Sequence, residues 1–204
     1  MKATLITFVL AIALFSGVAT ADEANDLMTQ SHIAYYYAGD GGSAKVSMTI
    51  VDKKGRERER NFWMLRSDIE DLGDQNYYTY FITPADVRRT SFLVHKHADG
   101  NDDRWLYVPA LDLVKRIAAD DRASSFVGSD FTYEDVSGRL PALDNHEIIG
   151  EGSVGERAAT KVKSTPKDPK TADWNHRISW ICNESKLPLK EEFYKKDELV
   201  REFT

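Results

Sequence analysis

The 204 residues contain only one cysteine, six prolines and twelve glycines. Cys182 alone cannot form an internal disulfide, and a four-cysteine zinc site is excluded with it. Glycine and proline are too sparse for a collagen-like or linker-like chain. With 42% hydrophobic residues, the composition is not that of a disordered one either. A cationic surplus is also missing. Against 33 Asp and Glu there are 27 Lys and Arg, a net charge of −6, so the clustered cations of a nucleic-acid binder are lacking and no such partner is expected. Long apolar runs are missing everywhere but at the N-terminus.

There, Lys2 precedes a mostly apolar stretch over 5–18 that ends in Ala19-Thr20-Ala21. A charged start, an apolar segment short of the ~20 residues of a spanning helix, and a small-residue site predict a signal peptide over 1–21, cleaved after Ala21. No cysteine follows the site, which excludes the lipid-modified form of export. The mature chain is then 183 residues, 204 less 21, and its charge is −7 once Lys2 is gone. With no other run long enough to span a bilayer, the expectation is a single exported domain over 22–204, periplasmic and without a stable membrane anchor.

Residues 22–37 read as a helix, with Asp22 as cap and an apolar stripe through Ala24, Leu27, Met28, Ser31, Ile33 and Tyr35. Beyond the break at 39–42, strands follow one another. The alternation over 46–51 runs into Asp52-Lys53-Lys54-Gly55, a hairpin signal because Gly55 can adopt a positive φ. The chain should return over 56–65, where Arg56, Arg58 and Arg60 alternate with Glu57 and Glu59 and cancel one another's field. Further strands are expected at 77–82, 91–95, 104–108, 113–118, 147–151, 158–164, 176–182 and 189–194. Between them, 120–140 is an Asp-, Ser- and Gly-rich excursion with one helical turn near 132–136, and 165–173 is a surface loop.

These elements predict a mainly β (α+β) protein in which about nine strands form one large curved antiparallel sheet beside a long N-terminal helix. Several strands are apolar on both faces, as Tyr77 and Phe81 against Tyr78, Tyr80 and Ile82 show. Either a second layer covers the other side, or the curled sheet encloses a hydrophobic hollow under the helix and the excursion. Chemistry-bearing motifs are thin. Gly150, Gly152 and Gly155 have the wrong offsets for a nucleophile elbow and fit a bulged strand. His95 and His97 share a strand face, but they sit at a hairpin tip without a third ligand, so no metal is expected. Cys182 reads as a small buried side chain. No cofactor and no catalytic residue are expected.

The run Asp103-Arg104-Trp105-Leu106-Tyr107-Val108-Pro109-Ala110 continues through Val114 to Ile117. It leads to Gly128, Ser129, Asp130, Phe131, Thr132, Tyr133, Glu134 and Asp135. Together these residues resemble the outer-membrane lipoprotein-sorting proteins, relatives of the LolA and LolB carriers. Leu27-Met28, the 52–55 hairpin and residues 84–93 extend the resemblance over most of the mature chain. It implies an incomplete barrel whose helices lid a greasy cavity for the acyl chains of a lipoprotein or lipid in transit toward the outer membrane. An inner-membrane exporter of the RND/MMPL type is the implied partner. The family pattern continues past residue 204, so the resemblance also implies a sheet lacking its C-terminal strands. On one face of successive strands, the candidate lining is Val46, Met48, Ile50, Phe62, Met64, Tyr78, Tyr80, Phe92, Val94, Trp105 and Tyr107, with Phe126 and Phe131 in the lid. For Asp130, Glu134 and Asp135 the residues themselves point to helix capping. A filled-core interaction domain of the envelope is the alternative function.

Overall fold

The computed structural model describes residues 21–204, so all but the last residue of the expected signal peptide lies outside the described residues. Helix α1, Ala21–Tyr36, opens the fold. Ala24, Met28 and Ser31 recur at helical spacing and form its buried stripe. Met28 packs on Val162 and Ile181, with Leu27 and Ile148 beside them. At its other end α1 is sewn to a different part of the chain. Arg66 donates to the carbonyls of Tyr36, Ala38 and Gly39, and Gln75 Nε2 donates to Tyr36 O at 2.9 Å. These donors satisfy the Tyr36 carbonyl, which the last helical turn leaves open, and two carbonyls of the segment that follows.

Eleven antiparallel strands follow. The first six are β1 (Gly41–Val51), β2 (Glu57–Asp68), β3 (Gln75–Thr83), β4 (Ser91–Lys96), β5 (Asp103–Val108) and β6 (Leu113–Ile117). They form one meander in chain order. A short helix, α2 (Tyr133–Ser137), lies in the excursion that follows. The remaining five are β7 (Asp144–Val154), β8 (Arg157–Pro166), β9 (His176–Cys182), β10 (Pro188–Lys195) and β11 (Glu198–Phe203). They make a second sheet, again in chain order, and α1 packs on it.

The mainly antiparallel architecture with its N-terminal helix and helical excursion is as expected, and neither sheet closes into a barrel. One sheet of about nine strands is corrected to sheets of six and five. The ladder breaks after β6 because the excursion never pairs with its edge. Its single bridge, Ser125 to Thr132, is internal. Strand β11 was not anticipated. Its Leu199 and Val200 are exposed, so it carries little alternation to detect.

The core lies between the first sheet and the excursion. Phe62, Phe81, Phe92, Val94 and Ile117 face inward from the strands, and Phe126, Tyr133 and Val136 cover them. One face of this sheet is thus a filled core, whereas the opposite face carries exposed Trp63, Leu65, Tyr78 and Tyr80, so the second layer expected over the other side is not found among the described residues.

Candidate functional site

The motif stretch of the excursion builds the site. Phe126 N–H donates to Phe131 O at 2.7 Å across a tight turn. Val127 and Gly128 hold positive φ there, which glycine does without strain. Ser129 Oγ donates to Phe126 O at 2.7 Å and fixes the turn. The chain then enters α2 through a capping box. Thr132 N–H donates to the Asp135 carboxylate at 2.7 Å, and Asp135 N–H donates to Thr132 Oγ1 at 3.3 Å. Alternate residues of this stretch consequently point to different sheets. Phe126 and Tyr133 enter the first, with ring centroids 5.4 and 5.0 Å from Phe92. Phe131 faces the second and stacks on Phe203 at 5.1 Å.

Ion pairs hold the excursion in this position. Asp135 also pairs with Arg201 of β11 at 3.1 Å. Glu134 approaches Arg139 at 3.4 Å and Arg122 at 3.9 Å. Arg139 binds Asp144 at 2.8 Å and donates to Thr171 O at 2.9 Å. On the first-sheet side, buried Lys96 Nζ donates to Gly138 O at 2.8 Å, and Ser137 Oγ donates to Asp102 at 3.0 Å. Burial raises the Glu134 and Asp135 carboxyls above the usual range, against the pull of Arg139 and Arg201 respectively, and it lowers the Lys96 ammonium. The capping role expected of this acidic group belongs to Asp135. Glu134 serves as an ion-pair partner, and Asp130 stays exposed.

Between α1, the excursion and the second sheet lies a cavity of about 500 Å³. Met28, His32, Tyr35 and Tyr36 line it from α1, Phe193 and Phe203 from the second sheet, and Trp174 from the bend before β9. Phe131, Glu134, Asp135 and Arg139 close it from the excursion. Its volume falls in the roughly 300–1,000 Å³ range of small-ligand sites. A neighbouring space of about 550 Å³ shares Trp174 and Phe193 and is bordered by Ser129, Asp130 and Lys195. The wall alternates rings and guanidinium groups. Arg139 and Arg177 lie 5.5 and 5.7 Å from the Trp174 ring, and Arg201 lies 4.2 Å from Phe193. Burial, aided by the charges of Lys96 and Arg177, pushes the His32 imidazole down to about 3, so the ring is neutral.

The residues expected to line a groove are divided by this geometry. Phe62, Phe92 and Val94 are buried in the first-sheet core, and Val46, Met48 and Met64 pack against it. Ile50 is half-buried on the same face of β1. Tyr78, Tyr80, Trp105 and Tyr107 belong to the opposite face, where Tyr78 pairs with Leu65 and Leu93, and Leu93 with Trp105. Tyr78 and Tyr80 are 38% and 36% exposed. Their placement with Phe92 is corrected because Tyr77, Thr79 and Phe81 are the inward residues of β3. The small polar Thr79 hid that parity. Of the two lid candidates, Phe126 is a core residue and Phe131 lines the cavity.

Apart from Phe131 and the motif residues Glu134 and Asp135, the cavity's walls were not anticipated as a site. The Tyr35-Tyr36 pair at the end of α1 and Trp174 beside the loop over 165–173 were the available signals. His97 bonds Asp74 at 2.9 Å, whereas His95 packs edge-on against Trp105. Among the described residues, no group of three His, Cys, Asp or Glu side chains is placed to hold a metal ion. Among them, too, no helix is long and apolar enough to cross a membrane.

Two open antiparallel sheets, with a helix and a short capped turn over a cavity, define the LolA-like class of folds. A family model described only as an uncharacterized protein matches residues 73–204, more than half of the chain. The structure is similar to an outer membrane lipoprotein-sorting protein domain from Vibrio parahaemolyticus, with a TM-score of 0.80 and 25% identity over 90% of this chain and 77% of that one. It is equally similar to a DUF1329 family protein from Desulfovibrio piger, with a TM-score of 0.80 and 26% identity over 89% and 77%. A LolA superfamily protein from Nitrosomonas europaea, with a TM-score of 0.62 over 88% and 75%, is 15% identical and shares the fold alone. No curated protein matches the chain. The chain belongs to the family whose model matches residues 73–204, and it shares the LolA-like fold with the lipoprotein-sorting domain and the DUF1329 protein.

Proposed function

We infer that this protein is a non-catalytic periplasmic carrier, exported by a cleaved signal peptide, that shelters the acyl chain of a lipoprotein or lipid on its way toward the outer membrane. An RND/MMPL-type inner-membrane exporter is the donor in this reading. The observation that carries it is the cavity of about 500 Å³ walled by Met28, Tyr35, Phe131, Trp174, Phe193 and Phe203. At about 0.8 kcal/mol per buried methylene, eight methylenes contribute roughly 6 kcal/mol before association costs. That strength suits a reversible carrier, because a single acyl chain on its own gives reversible binding.

Native mass spectrometry of the exported chain is the direct test. The carrier reading expects copurified lipid, lost in Phe131→Asp and Tyr35→Asp, two exposed positions where a charge leaves the fold intact. A lipid-free protein that also ignores a fluorescent fatty-acid probe would sink it. One observation favours the alternative, an envelope interaction domain. The inner face of the first sheet is filled, with Phe81, Phe92 and Val94 fully buried beneath Phe126. That reading expects no lipid and a protein partner recovered by crosslinking in the envelope.

A further inference from the structure

In an antiparallel meander, successive turns fall at opposite ends. The turns after β1, β3 and β5 of the first sheet therefore point one way, and those after β2 and β4 point the other. Charge is divided between the two ends. The turns over 69–74 and 97–102 contain Glu70, Asp71, Asp74, Asp99 and Asp102, with no Lys or Arg. At the opposite end, Lys53, Lys54, Arg58, Arg88, Arg89 and Lys115 are exposed and make no ion pair among the described residues. Arg56 and Arg60 are there too, held by Asp52 and Asp86. The carboxylates left over at that end are Glu57, Glu59 and Asp112, half as many as the free cations. A chain of net charge −6 thus carries a basic pole. Its cations come from three turns spread over 53–115, so no single run in the sequence displays them.

The same end is also apolar. The turn after β5 opens with one helical turn, Pro109–Leu111, closed by Asp112 at a φ of 45°, whose N–H donates to Pro109 O at 3.2 Å. Tyr107 OH donates to the Asp112 carboxylate at 3.1 Å and braces the turn. Leu111 is thereby held out at 71% exposure, and Leu113 and Val114 beside it are 46% and 62% exposed. The outer-face row that adjoins these turns runs, by register, through Trp63, Tyr80, Ser91, Tyr107 and Val114. A lone exposed leucine is ordinary. Aliphatic side chains and Trp and Tyr rings set among unpaired cations are instead the composition of a surface that rests in the headgroup region of a bilayer. A soluble polyanion would engage the cations and leave the aliphatic groups in water.

We propose that the end of the first sheet formed by the turns 52–56, 84–90 and 109–112 docks on a lipid surface bearing anionic headgroups, with Lys53, Lys54, Arg88 and Arg89 against the headgroups and Leu111 in the interface. The acidic end is repelled by the same surface and faces away from it, which sets the orientation of the molecule. A few cations and one small apolar patch give peripheral, reversible contact. The docking does not depend on what the cavity holds.

Cosedimentation of the mature chain with vesicles tests this. Vesicles of dioleoylphosphatidylcholine are compared with vesicles in which about one third of the lipid is dioleoylphosphatidylglycerol. At low ionic strength, binding to the anionic vesicles should be at least about tenfold tighter, and salt at about 0.5 M should abolish the difference. Lys53→Glu combined with Arg88→Glu should remove the binding. Arg157→Glu combined with Lys170→Glu makes the same change in net charge on the second-sheet half of the chain and should leave binding within about threefold of the parent. Leu111→Asp keeps every cation and should still weaken binding at least about fivefold. All five positions are exposed, and an unchanged melting temperature shows that each variant folds. Equal binding to the two kinds of vesicle, or equal losses in the two charge-reversed pairs, overturns the proposal. Parent-like vesicle binding by Leu111→Asp, with heparin competing the parent off the vesicles, overturns the lipid assignment in favour of a soluble polyanion.

Discussion

Phe126 is the residue on which the seating of the excursion depends, and its truncation has a calculable cost. The ring is 4% exposed, and its centroid lies 5.4 to 6.5 Å from those of Phe92, Tyr133, Phe81 and Phe62. Phe126→Ala removes these contacts and leaves a void against a sheet that cannot collapse into it, which costs about 3–5 kcal/mol. That is a large part of a total stability of roughly 5–15 kcal/mol. At roughly 2–4 °C per kcal/mol for a chain of this size, the melting temperature should fall by about 6–20 °C.

Urea unfolding reads the same quantity, with the midpoint shifting and the m-value unchanged. Phe131→Ala is the control. That ring is 45% exposed and stacks on a single partner, Phe203, so it should cost less than about 1 kcal/mol while weakening acyl-chain binding. A Phe126→Ala protein within about 1 kcal/mol of the parent would refute the reasoning. The excursion would then not be seated on the sheet in solution, and the inner face would be open.

Two further outcomes follow from the same contacts. Gly138 has a φ of +78° and ψ of 154°, and a Cβ there would collide with the Tyr36 ring. Gly138→Ala should therefore cost about 2–5 kcal/mol by denaturant unfolding, from a backbone region nearly closed to side chains plus overpacking. An unchanged midpoint would show that α1 does not rest on the excursion. Acid should weaken the fold through His32. Its folded pKa of about 3 lies below the unfolded 6.5, so the unfolded chain takes up the proton first. The contribution is complete above about pH 6.5 and is lost toward pH 3, at no more than about 1.4 kcal/mol per pH unit. Glu134 and Asp135, with raised pKa values, act in the opposite sense, so the quantity to measure is the difference between parent and His32→Gln. The parent should lose up to about 3 kcal/mol more than the variant between pH 6.5 and 4.5. Parallel stability curves would refute it.

What the sequence showed best was local. The helix expected over 22–37 is Ala21–Tyr36, and β9 has the expected bounds. At the first hairpin, Gly55 takes a φ of +74° and donates to Asp52 O at 2.8 Å. The turn near 132–136 is α2. Each depends on residues a few positions apart. The choice of face was not local. In β3 the outward side, with Tyr78 and Tyr80, looks more apolar than the inward Tyr77, Thr79 and Phe81, and only the excursion that covers the strand decides between them. The buried charges were hidden for the same reason. Lys96 finds its acceptor at Gly138, 42 residues away, and Arg201 finds Asp135 66 residues away. No periodicity encodes such pairs, so the cavity they border could not be placed on the elements that form it.

The motif that carried the resemblance turns out to be the joint between the two sheets, and its energetics indicate where a guest can enter. To reach the inner face of the first sheet, a chain must dislodge Phe126 and Tyr133 together, against several kcal/mol of packing. Entry beside Phe131 disturbs one stacked pair, and the strained element is the Thr132–Asp135 box, a cap whose loss costs about 1 kcal/mol. The difference amounts to at least a hundredfold in the population of the opened form. Under the carrier reading a guest would therefore enter between α1 and the second sheet, with the first sheet as the rigid base from which the excursion is hung.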